Sequence, residues 1–430
     1  MVKVSPDEKV NRSLRFSWWD GTFASVMQGV YDNYLAPFAI FLHATAPQLA
    51  LLTSLPNLVG SLLQVKAPDI AERKGARVPI ITFFVFLQAC TWGAVIMVPF
   101  LARNDSVSLL IVFVIALASF GIFANSPWSS LMSDLVPAHI RGNYFSWRNR
   151  SLGLIGLGAS FIAGMVLYLF KTKLWLGFTV ILSLAMVCRF ASWWCLRQMY
   201  EPRLAIEEED YFSFWMFIRR WRQSNFVKFV VFVAGINFGT YIAGPFFALY
   251  MLRNLGMNYL SYTLVIITSP LVMLLMMKAW GQQADIVGNV KVLRLTSIFI
   301  PFVPVVWLFS HSLWYLLVIQ VFGGFFWAGF NLCSINFIYD AVSPEKRTRC
   351  ISYFNVINGF GMFAGALLGG YLIKIVPAYF GYQVLTIFLL SGIVRALIAI
   401  VMAPRIHEVR QVKSITSSEL FYSVILGRKD

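Results

Sequence analysis

The chain has 430 residues, of which 59% are hydrophobic and only 13% are charged, and its mean hydropathy is +0.71. Because about a quarter of the residues of a soluble domain are charged, this composition excludes a soluble globule and predicts a polytopic membrane protein. The net charge of +16 does not indicate a nucleic-acid partner, since the basic residues lie in short gaps between apolar runs. The five cysteines have no metal-site spacing and suggest no disulfide framework.

Twelve segments are apolar enough to cross a bilayer, which requires about 20 mostly apolar residues per helix. The first six are 17–42, 47–65, 78–101, 107–131, 145–169 and 174–199. The other six are 227–252, 258–280, 291–310, 312–338, 350–374 and 381–403. The sequence therefore predicts an all-α integral membrane protein with twelve transmembrane helices.

Lysine and arginine are concentrated in alternate gaps between these segments. The opposite gaps hold little more than Arg103, Lys171, Lys173, Arg253 and Lys374. The positive-inside rule then places both termini in the cytoplasm of a cell whose plasma or inner membrane holds the protein. An even number of spans also requires both termini on one side, so the two arguments agree.

The one long gap, 200–226, contains an amphipathic segment. Aromatic and aliphatic side chains recur at helical spacing from Tyr211 to Trp221, and Arg219, Arg220 and Arg222 occupy the other side. This pattern predicts a helix along the inner leaflet, with a soluble connector as the alternative. The predicted domains are a six-helix bundle at 1–199, a linker at 200–226, a second bundle at 227–404 and a cytoplasmic tail at 405–430.

The two predicted bundles repeat one plan. Several polar residues recur 206 residues later, namely Asn125 as Asn331, Asp134 as Asp340, Arg141 as Arg347 and Arg189 as Arg395. The stretch Tyr34-Leu-Ala-Pro37 also returns as Tyr241-Ile-Ala-Gly-Pro245. Parallel six-helix repeats are a recurrent transporter architecture with the substrate site near the midplane.

A loop motif now points to a family. After the eighth span the chain reads Trp280-Gly281-Gln-Gln-Ala284-Asp285-Ile-Val-Gly288-Asn-Val-Lys291, which resembles the G-x-x-A-D-R-x-G-x-x-K/R signature of the major facilitator superfamily. The loop after the second span is a degenerate copy, with Pro68 in place of the first glycine and Glu72 in place of the aspartate. With the span count, the topology and the repeat, the resemblance covers nearly the whole chain.

The resemblance implies two six-helix repeats that move a solute by alternating access, and it assigns gating roles to the loop residues. Those residues are Glu72, Arg73, Gly75 and Arg77 in the first loop and Asp285 and Gly288 in the second. An acid on a tight glycine turn reaches basic groups and a helix N-terminus when the cytoplasmic side closes. The alternative for these loops is that their charges only set the topology. Asp134/Arg141 and Asp340/Arg347 are two further candidate ion pairs, or clamps, for which ordinary solvated cytoplasmic charge is an equally good explanation.

Familiar subfamily marks are missing, so the resemblance identifies no subfamily. The fourth span contains no arginine, unlike proton-driven drug exporters of the superfamily, and Tyr200-Glu-Pro-Arg203 is only a faint echo of the sugar-porter element. No nucleotide-binding loop occurs in the sequence. We therefore expect no direct use of ATP, no enzymatic activity and no cofactor.

An acid stands inside the first span. Gln28, Tyr31 and Asp32 share one helix face, and an ionised carboxylate at this depth costs several kcal/mol unless it faces water or a partner. By the resemblance, the first span lines the central cavity. Asp32 is therefore a candidate to carry a proton or to meet a cationic solute. A buried, protonated Asp32 that bonds a neighbouring helix is the structural alternative.

Other candidate solute contacts are Asn125 and Trp128 in the fourth span, Asn237 and Tyr241 in the seventh, and Asn331 in the tenth. Each alone is more often a contact between helices. Arg189 and Arg395 lie about two turns from the cytoplasmic ends of their spans and can snorkel. Without a central cation, the set suits a small neutral, amphipathic or cationic solute better than a phosphate or dicarboxylate.

The sequence thus favours a secondary active transporter, with protons as the candidate coupling ion and the lipid bilayer as its surroundings, acting as a monomer. Symport and antiport both stay open. The alternative is a transport-inactive relative that acts as a membrane sensor or assembly partner.

Overall fold

The described part of the chain is built from helices and contains no strand. The computed structural model describes residues 8–64, 76–101, 105–137, 140–201, 224–379 and 381–410. The predicted linker helix, the loop residues Glu72, Arg73 and Gly75, and the end of the tail lie outside these ranges. The all-α prediction is confirmed for the part that is described.

Six long helices make up the first half. They are α1 Glu8–Phe41, α2 Ala46–Gln64, α3 Val78–Leu101, α4 Ser106–Leu135, α5 Arg141–Leu169 and α6 Leu174–Leu196. Each contains one of the first six predicted spans, to within a few residues at each end. Prolines stand inside four of them, at Pro37, Pro56, Pro99 and Pro127. Prolines are tolerated in membrane helices because neighbouring groups re-satisfy the backbone.

The second half has the same number of crossings, but two of them are broken. The helices are α7 Asn225–Ala243, α8 Phe246–Leu249, α9 Tyr259–Val287, α10 Asn289–Phe299, α11 Phe302–Val306, α12 Leu313–Ala341, α13 Pro344–Leu372 and α14 Gln383–Met402. Gly244-Pro245 separates α7 from α8, which runs on into a π-helical turn at Tyr250–Asn254. Pro301 follows α10 and precedes α11. A proline removes a backbone donor and so interrupts a helix at both places.

Ten of these crossings are long and apolar enough by composition to span a membrane. The two predicted spans outside this set are α1 and α2, which are nevertheless helices over the predicted ranges. In α1 the polar residues discussed below dilute the apolar run. The broken crossings, Asn225–Asn254 and Asn289–Val306, are among the ten.

The chain divides into two units. Unit 1 comprises Met1–Glu207 and Gly256–Thr263, and unit 2 comprises Glu208–Leu255 and Leu264–Asp430. The first turn of α9 therefore packs with unit 1, where the hydroxyls of Tyr34 and Thr263 are 2.7 Å apart and the Tyr262 hydroxyl donates to the Asn33 carbonyl at 3.1 Å.

Each unit has its own apolar core, while large apolar side chains also cover its outside. In unit 1 the core includes Leu14, Ile81, Val85 and Leu131, and in unit 2 it is rich in aromatic rings from Phe229 to Phe337. Phe100, Trp314 and Ile400 are 68%, 78% and 71% exposed. Large exposed apolar side chains of this kind are typical of helices that face lipid.

Helices α7 and α13 approach so closely that their backbones touch. Three glycines of α13, four residues apart, face three carbonyls of α7: Gly361 faces Ala234, Gly365 faces Phe238 and Gly369 faces Ile242. A Cβ built at Gly361 would lie 2.7 Å from the carbonyl oxygen, and the other two positions are tighter. Small residues at such interfaces are how membrane helices gain close packing. We call this set the glycine ladder.

Candidate functional site

The polar face of α1 carries a side-chain pair. Gln28 donates from Nε2 to Oδ1 of Asp32 at 2.7 Å, and both side chains are exposed. Tyr31 is half-buried, and its ring meets Trp92 of α3 edge-on at 6.4 Å between centroids. Asp32 lies nine residues before Phe41, hence roughly 14 Å along the axis from the end of α1. The structure places the three residues on one face of α1, with the Asp32 side chain exposed.

The Asp32 carboxylate has no cationic partner among the described residues, where Gln28 is its one recorded hydrogen-bond donor. Its neighbour Asn33 points elsewhere and donates from Nδ2 to Ser160 Oγ at 2.9 Å and to the Gly29 carbonyl at 3.1 Å. Asn33 therefore ties α1 to α5, whereas Asp32 stays available. The recorded side-chain bond of Asp32 thus lies within α1 and does not reach a neighbouring helix.

The two candidates on α4 differ from each other. Asn125 is exposed, and its backbone carbonyl accepts from Ser129 Oγ at 2.9 Å. Trp128 is half-buried, and the Arg148 guanidinium of α5 lies 4.6 Å above its ring. A cation over an indole ring is attracted by the electron-rich face. Trp128 thus serves packing inside unit 1, whereas the Asn125 side chain is open.

In unit 2 the three candidates also separate. Asn237 of α7 donates from Nδ2 to Oδ1 of Asn358 on α13 at 2.9 Å, so it joins two helices. Tyr241, one turn later, is half-buried. Asn331 of α12 is exposed. The inter-helix role that the sequence left open is thus the observed one for Asn237.

The prediction that Arg189 snorkels is wrong. Arg189 is 7% exposed and donates from Nη1 to Ser192 Oγ at 3.0 Å, and Ser192 Oγ donates to Oδ1 of Asp20 at 2.6 Å. Arg148, equally buried, donates from Nη2 to the Ser17 carbonyl at 3.1 Å, close to the same acid. The side chain turns inward because Asp20 of α1 offers a buried negative charge.

The prediction for Arg395 is wrong as well. Its side chain is 2% exposed and packs on Gly239 of α7, where an added Cβ would lie 2.8 Å from Arg395 Cγ. Nη2 reaches the Thr240 carbonyl at 3.4 Å. The missing side chain at Gly239 makes room for the arginine inside unit 2, so the guanidinium does not reach the helix end.

At the predicted cytoplasmic end of unit 1, Arg77 is the one member of the first-loop gating set among the described residues. It is 1% exposed and donates from Nη1 to Asp134 Oδ2 at 2.6 Å and to Ser130 Oγ at 3.1 Å. Glu201, just after α6, accepts from the backbone N–H of Arg77 and, at 3.2 Å, from that of Val78. A carboxylate at a helix N-terminus satisfies donors that the helix leaves unpaired.

The matching end of unit 2 has a similar cluster with a different cation. Glu408, just after α14, accepts from the Val290 N–H at 2.8 Å at the start of α10. Asp340 of α12 accepts from Asn289 Nδ2 at 2.7 Å and from Arg410 Nη2 at 2.6 Å. Arg410 Nη1 also lies 3.6 Å from Oδ1 of Asp285. Asp340 raises the pKa of the Arg410 guanidinium by hydrogen bonding to its charged form.

Gly288 has a specific structural role in this cluster. Its backbone has φ +88° and ψ 157°, a conformation open essentially to glycine alone. A Cβ there would lie 2.7 Å from Cδ of Glu408. The loop glycine of the motif therefore lets Glu408 reach the start of α10.

Of the two candidate clamps, Asp134/Arg141 is replaced by other contacts. Arg141 donates from Nη2 to the Ser133 carbonyl at 2.6 Å, at the end of α4, while Asp134 binds Arg77. The side chain of Arg347 lies outside the described residues. Sequence reasoning missed Glu201, Glu408 and Arg410. The available signal was the spacing, since Glu408 follows Glu201 by 207 residues, close to the step of the other repeated positions.

Comparison with known proteins agrees with this architecture. Residues 228–427 match the family model described as Major Facilitator Superfamily. No curated protein sequence matches the chain. Among solved structures, a bacterial homolog of the human lysosomal transporter Spinster, inward-facing and unoccupied, aligns at a TM-score of 0.68 with 14% identity over 95% of this chain and 100% of that one.

Two further structures are similar. A mutant of the nucleoside transporter NupG aligns at a TM-score of 0.71 with 11% identity, covering 92% of this chain and 100% of that one. A D-xylose–proton symporter aligns at 0.67 with 12% identity, covering 94% and 98%. The fold is that of a multi-pass membrane transporter. The family match over residues 228–427, which include the loop motif, confirms the resemblance of that motif, and the solved structures share the fold over nearly the whole chain.

Proposed function

We propose that this protein is a secondary active transporter that moves a small organic solute by alternating access, with Asp32 as the proton-coupling residue. One observation carries the proposal: Asp32 is an exposed carboxylate inside a membrane helix, and its one recorded side-chain partner is the neutral amide of Gln28. A carboxylate at such depth is stabilised by binding a proton or a cation. Gln28 holds it in place without neutralising it.

Each unit supplies further candidate solute contacts of its own. Tyr31 and Asn125 in unit 1 and Tyr241 and Asn331 in unit 2 supply rings, a hydroxyl or an amide, and two of the four, Asn125 and Asn331, are exposed. Trp128 and Asn237 have a supporting role, because Arg148 and Asn358 engage them. Amides and rings bind polar or amphipathic solutes through hydrogen bonds and apolar contact.

The loop clusters are the proposed cytoplasmic gate. In this proposal Glu72, Arg73, Gly75 and Arg77 act in one loop and Asp285 and Gly288 in the other, and Glu201, Glu408 and Arg410 hold the two loops in shape. Three buried or half-buried contacts support it, those of Arg77 with Asp134, Glu201 with Val78 and Glu408 with Val290. The proposed orientation has both termini in the cytoplasm, in a plasma or inner membrane, and the proposed active form is a monomer.

A solute panel tested by counterflow in liposomes identifies a substrate, and Asp32→Asn then tests the coupling. The change removes the titrating group and nearly keeps its shape. If Asp32 carries the proton, proton-driven uphill uptake collapses while exchange of substrate for substrate survives. If Asp32 binds a cationic solute, both modes fail together and affinity falls.

Asp105→Asn is the matched control, because Asp105 is an exposed acid outside the spans that makes no side-chain cap bond. It should leave both modes at the wild-type rate. Intact uphill uptake in Asp32→Asn would remove Asp32 from the mechanism. Failure of every solute to exchange in wild-type protein would favour the rival class, a transport-inactive sensor or assembly partner.

A further inference from the structure

Two arginines at equivalent places in the repeat have different electrostatic surroundings. Arg189 of α6 and Arg395 of α14 are 206 residues apart in sequence and are 7% and 2% exposed. Arg189 is connected through Ser192 Oγ to the carboxylate of Asp20. Arg395 forms no salt bridge with any described acid, and its recorded contact is with a backbone carbonyl.

The guanidinium of Arg395 is also poorly satisfied by hydrogen bonds. Its one recorded acceptor is the Thr240 carbonyl, at a long 3.4 Å from Nη2. Nε is buried without an acceptor among the described residues. The nearby Ser391 hydroxyl donates to the Gly239 carbonyl at 2.6 Å. Because this hydroxyl is neutral, it does not serve as a counter-ion for Arg395. The donors of Arg395 therefore exceed the acceptors that the described part of unit 2 supplies.

The depth of Arg395 makes this imbalance costly. It lies twelve residues after Gln383, the first residue of α14, hence roughly 18 Å along the helix axis. A charged side chain at membrane depth is expensive and is retained where it meets a partner or a substrate. An apolar residue in its place would remove that cost. The position is therefore more easily explained by a ligand than by stability.

We propose that Arg395 binds the carboxylate of a monoanionic organic solute. This inference rests on the proposed transport function and narrows its solute class to an anion, in place of the neutral, amphipathic or cationic solute that the sequence favours. One uncompensated cation is balanced by one negative charge, whereas a phosphate dianion would leave an excess. The planar guanidinium matches a carboxylate with two parallel hydrogen bonds.

The neighbours of Arg395 define the rest of the solute. Thr240, whose carbonyl it touches, precedes Tyr241 on α7, and Asn237 lies one turn earlier. Tyr241, adjacent in sequence to the contacted Thr240, suits a solute with an amphipathic body. The solute class is thus a small carboxylate with an apolar or weakly polar remainder.

Thermal unfolding of the purified protein in detergent tests the proposal with matched probes: benzoate against benzyl alcohol, hexanoate against hexan-1-ol, and lactate against propane-1,2-diol. Wild-type protein should gain thermal stability from at least one carboxylate and not from its alcohol. Arg395→Gln should unfold no earlier than wild type without ligand and should bind that carboxylate about tenfold to a hundredfold more weakly, the range for a charge-assisted contact. Arg150→Gln, at an exposed arginine of α5, is the control and should bind like wild type.

Asp32→Asn separates this inference from the coupling proposal, because it should keep the carboxylate-specific shift even if Asp32 plays no part in coupling. Arg395→Lys should keep the preference for carboxylate over alcohol with lower affinity, and it is the variant to read if Arg395→Gln does not fold. The proposal is overturned by a wild type that responds to no carboxylate, by Arg395→Gln binding like wild type, or by loss of the preference in Arg395→Lys.

Discussion

Arg77 donates to Asp134 at 2.6 Å across the start of α3 and the end of α4, with the arginine 1% and the acid 43% exposed. The corresponding contact in unit 2, from Arg410 to Asp340, has the same length, but there the arginine is 41% and the acid 12% exposed. In unit 1 the arginine is therefore the buried partner of the ion pair, whereas in unit 2 the acid is the more buried partner. Hydrogen bonds to charged groups contribute more where water is excluded.

This difference predicts unequal costs for removing the two arginines. Arg77→Gln should lower the free energy of unfolding by about 1.5–3 kcal/mol, as for a charged hydrogen bond removed from a buried position. Arg410→Gln should cost no more than about 1 kcal/mol, because its exposed guanidinium is screened by water. Thermal unfolding in detergent, followed by a thiol-reactive dye that reports exposure of Cys188, Cys195, Cys333 and Cys350, measures both. Equal losses would contradict the assigned difference in burial.

Gly288 and Gly256 form a second matched pair. Both have positive φ, +88° and +60°, but an added Cβ meets Glu408 at Gly288 and nothing within 4 Å at Gly256. Gly256→Ala should therefore cost only backbone strain, about 1–3 kcal/mol. Gly288→Ala should cost more and should also slow transport, because Glu408 must leave the start of α10. If Gly288→Ala is the milder change by the same unfolding assay, Glu408 is not positioned by this turn.

The buried acid Asp20 should behave as a true partner of Arg189. Asp20→Asn leaves two buried arginines near one another without a carboxylate, so a loss of about 3–5 kcal/mol is expected. Adding Arg189→Gln should recover part of that loss, because the double variant buries one charge fewer. A double-mutant cycle of unfolding free energies measures the coupling. Strictly additive losses would show that the Ser192 bridge carries no coupling between the two charges.

Topology gives a prediction that is independent of stability. In intact cells an impermeant maleimide should label Lys171→Cys, in the gap between α5 and α6, and should not label Ser343→Cys, before α13. Both positions are exposed, and Cys90, the exposed one of the five described cysteines, is first replaced by serine. Lysis should make both labels equal. The reverse pattern in intact cells would invert the proposed orientation.

The sequence predicted the helices well because composition controls them. Apolar length located helices at all twelve predicted spans, ten of which are long and apolar enough by composition to cross a membrane, since a bilayer requires satisfied backbone groups over a fixed thickness. It did not locate the π-helical turn at Tyr250–Asn254. That turn depends on how the chain packs after Gly244-Pro245. The spacing of apolar residues along the sequence does not indicate it.

The site was predicted less completely, because side-chain direction depends on neighbours that lie far away in sequence. The position of Arg189 near a helix end allows snorkelling, but the direction of its side chain is decided by Asp20, 169 residues earlier. For Arg395 it was decided by the absence of a side chain at Gly239. Asn237 likewise turned to Asn358, 121 residues later. The Gln28–Asp32 pair was predictable because both residues lie on one helix turn.

The glycine ladder between α7 and α13 has a consequence for inherited variation. No single-nucleotide change in a glycine codon yields a smaller residue, so every missense change at Gly361, Gly365 or Gly369 pushes a side chain into a carbonyl of α7. A saturation library scored for growth or surface expression should therefore show three intolerant codons spaced four apart. The exposed Ile400 of α14 should accept most apolar replacements in the same library.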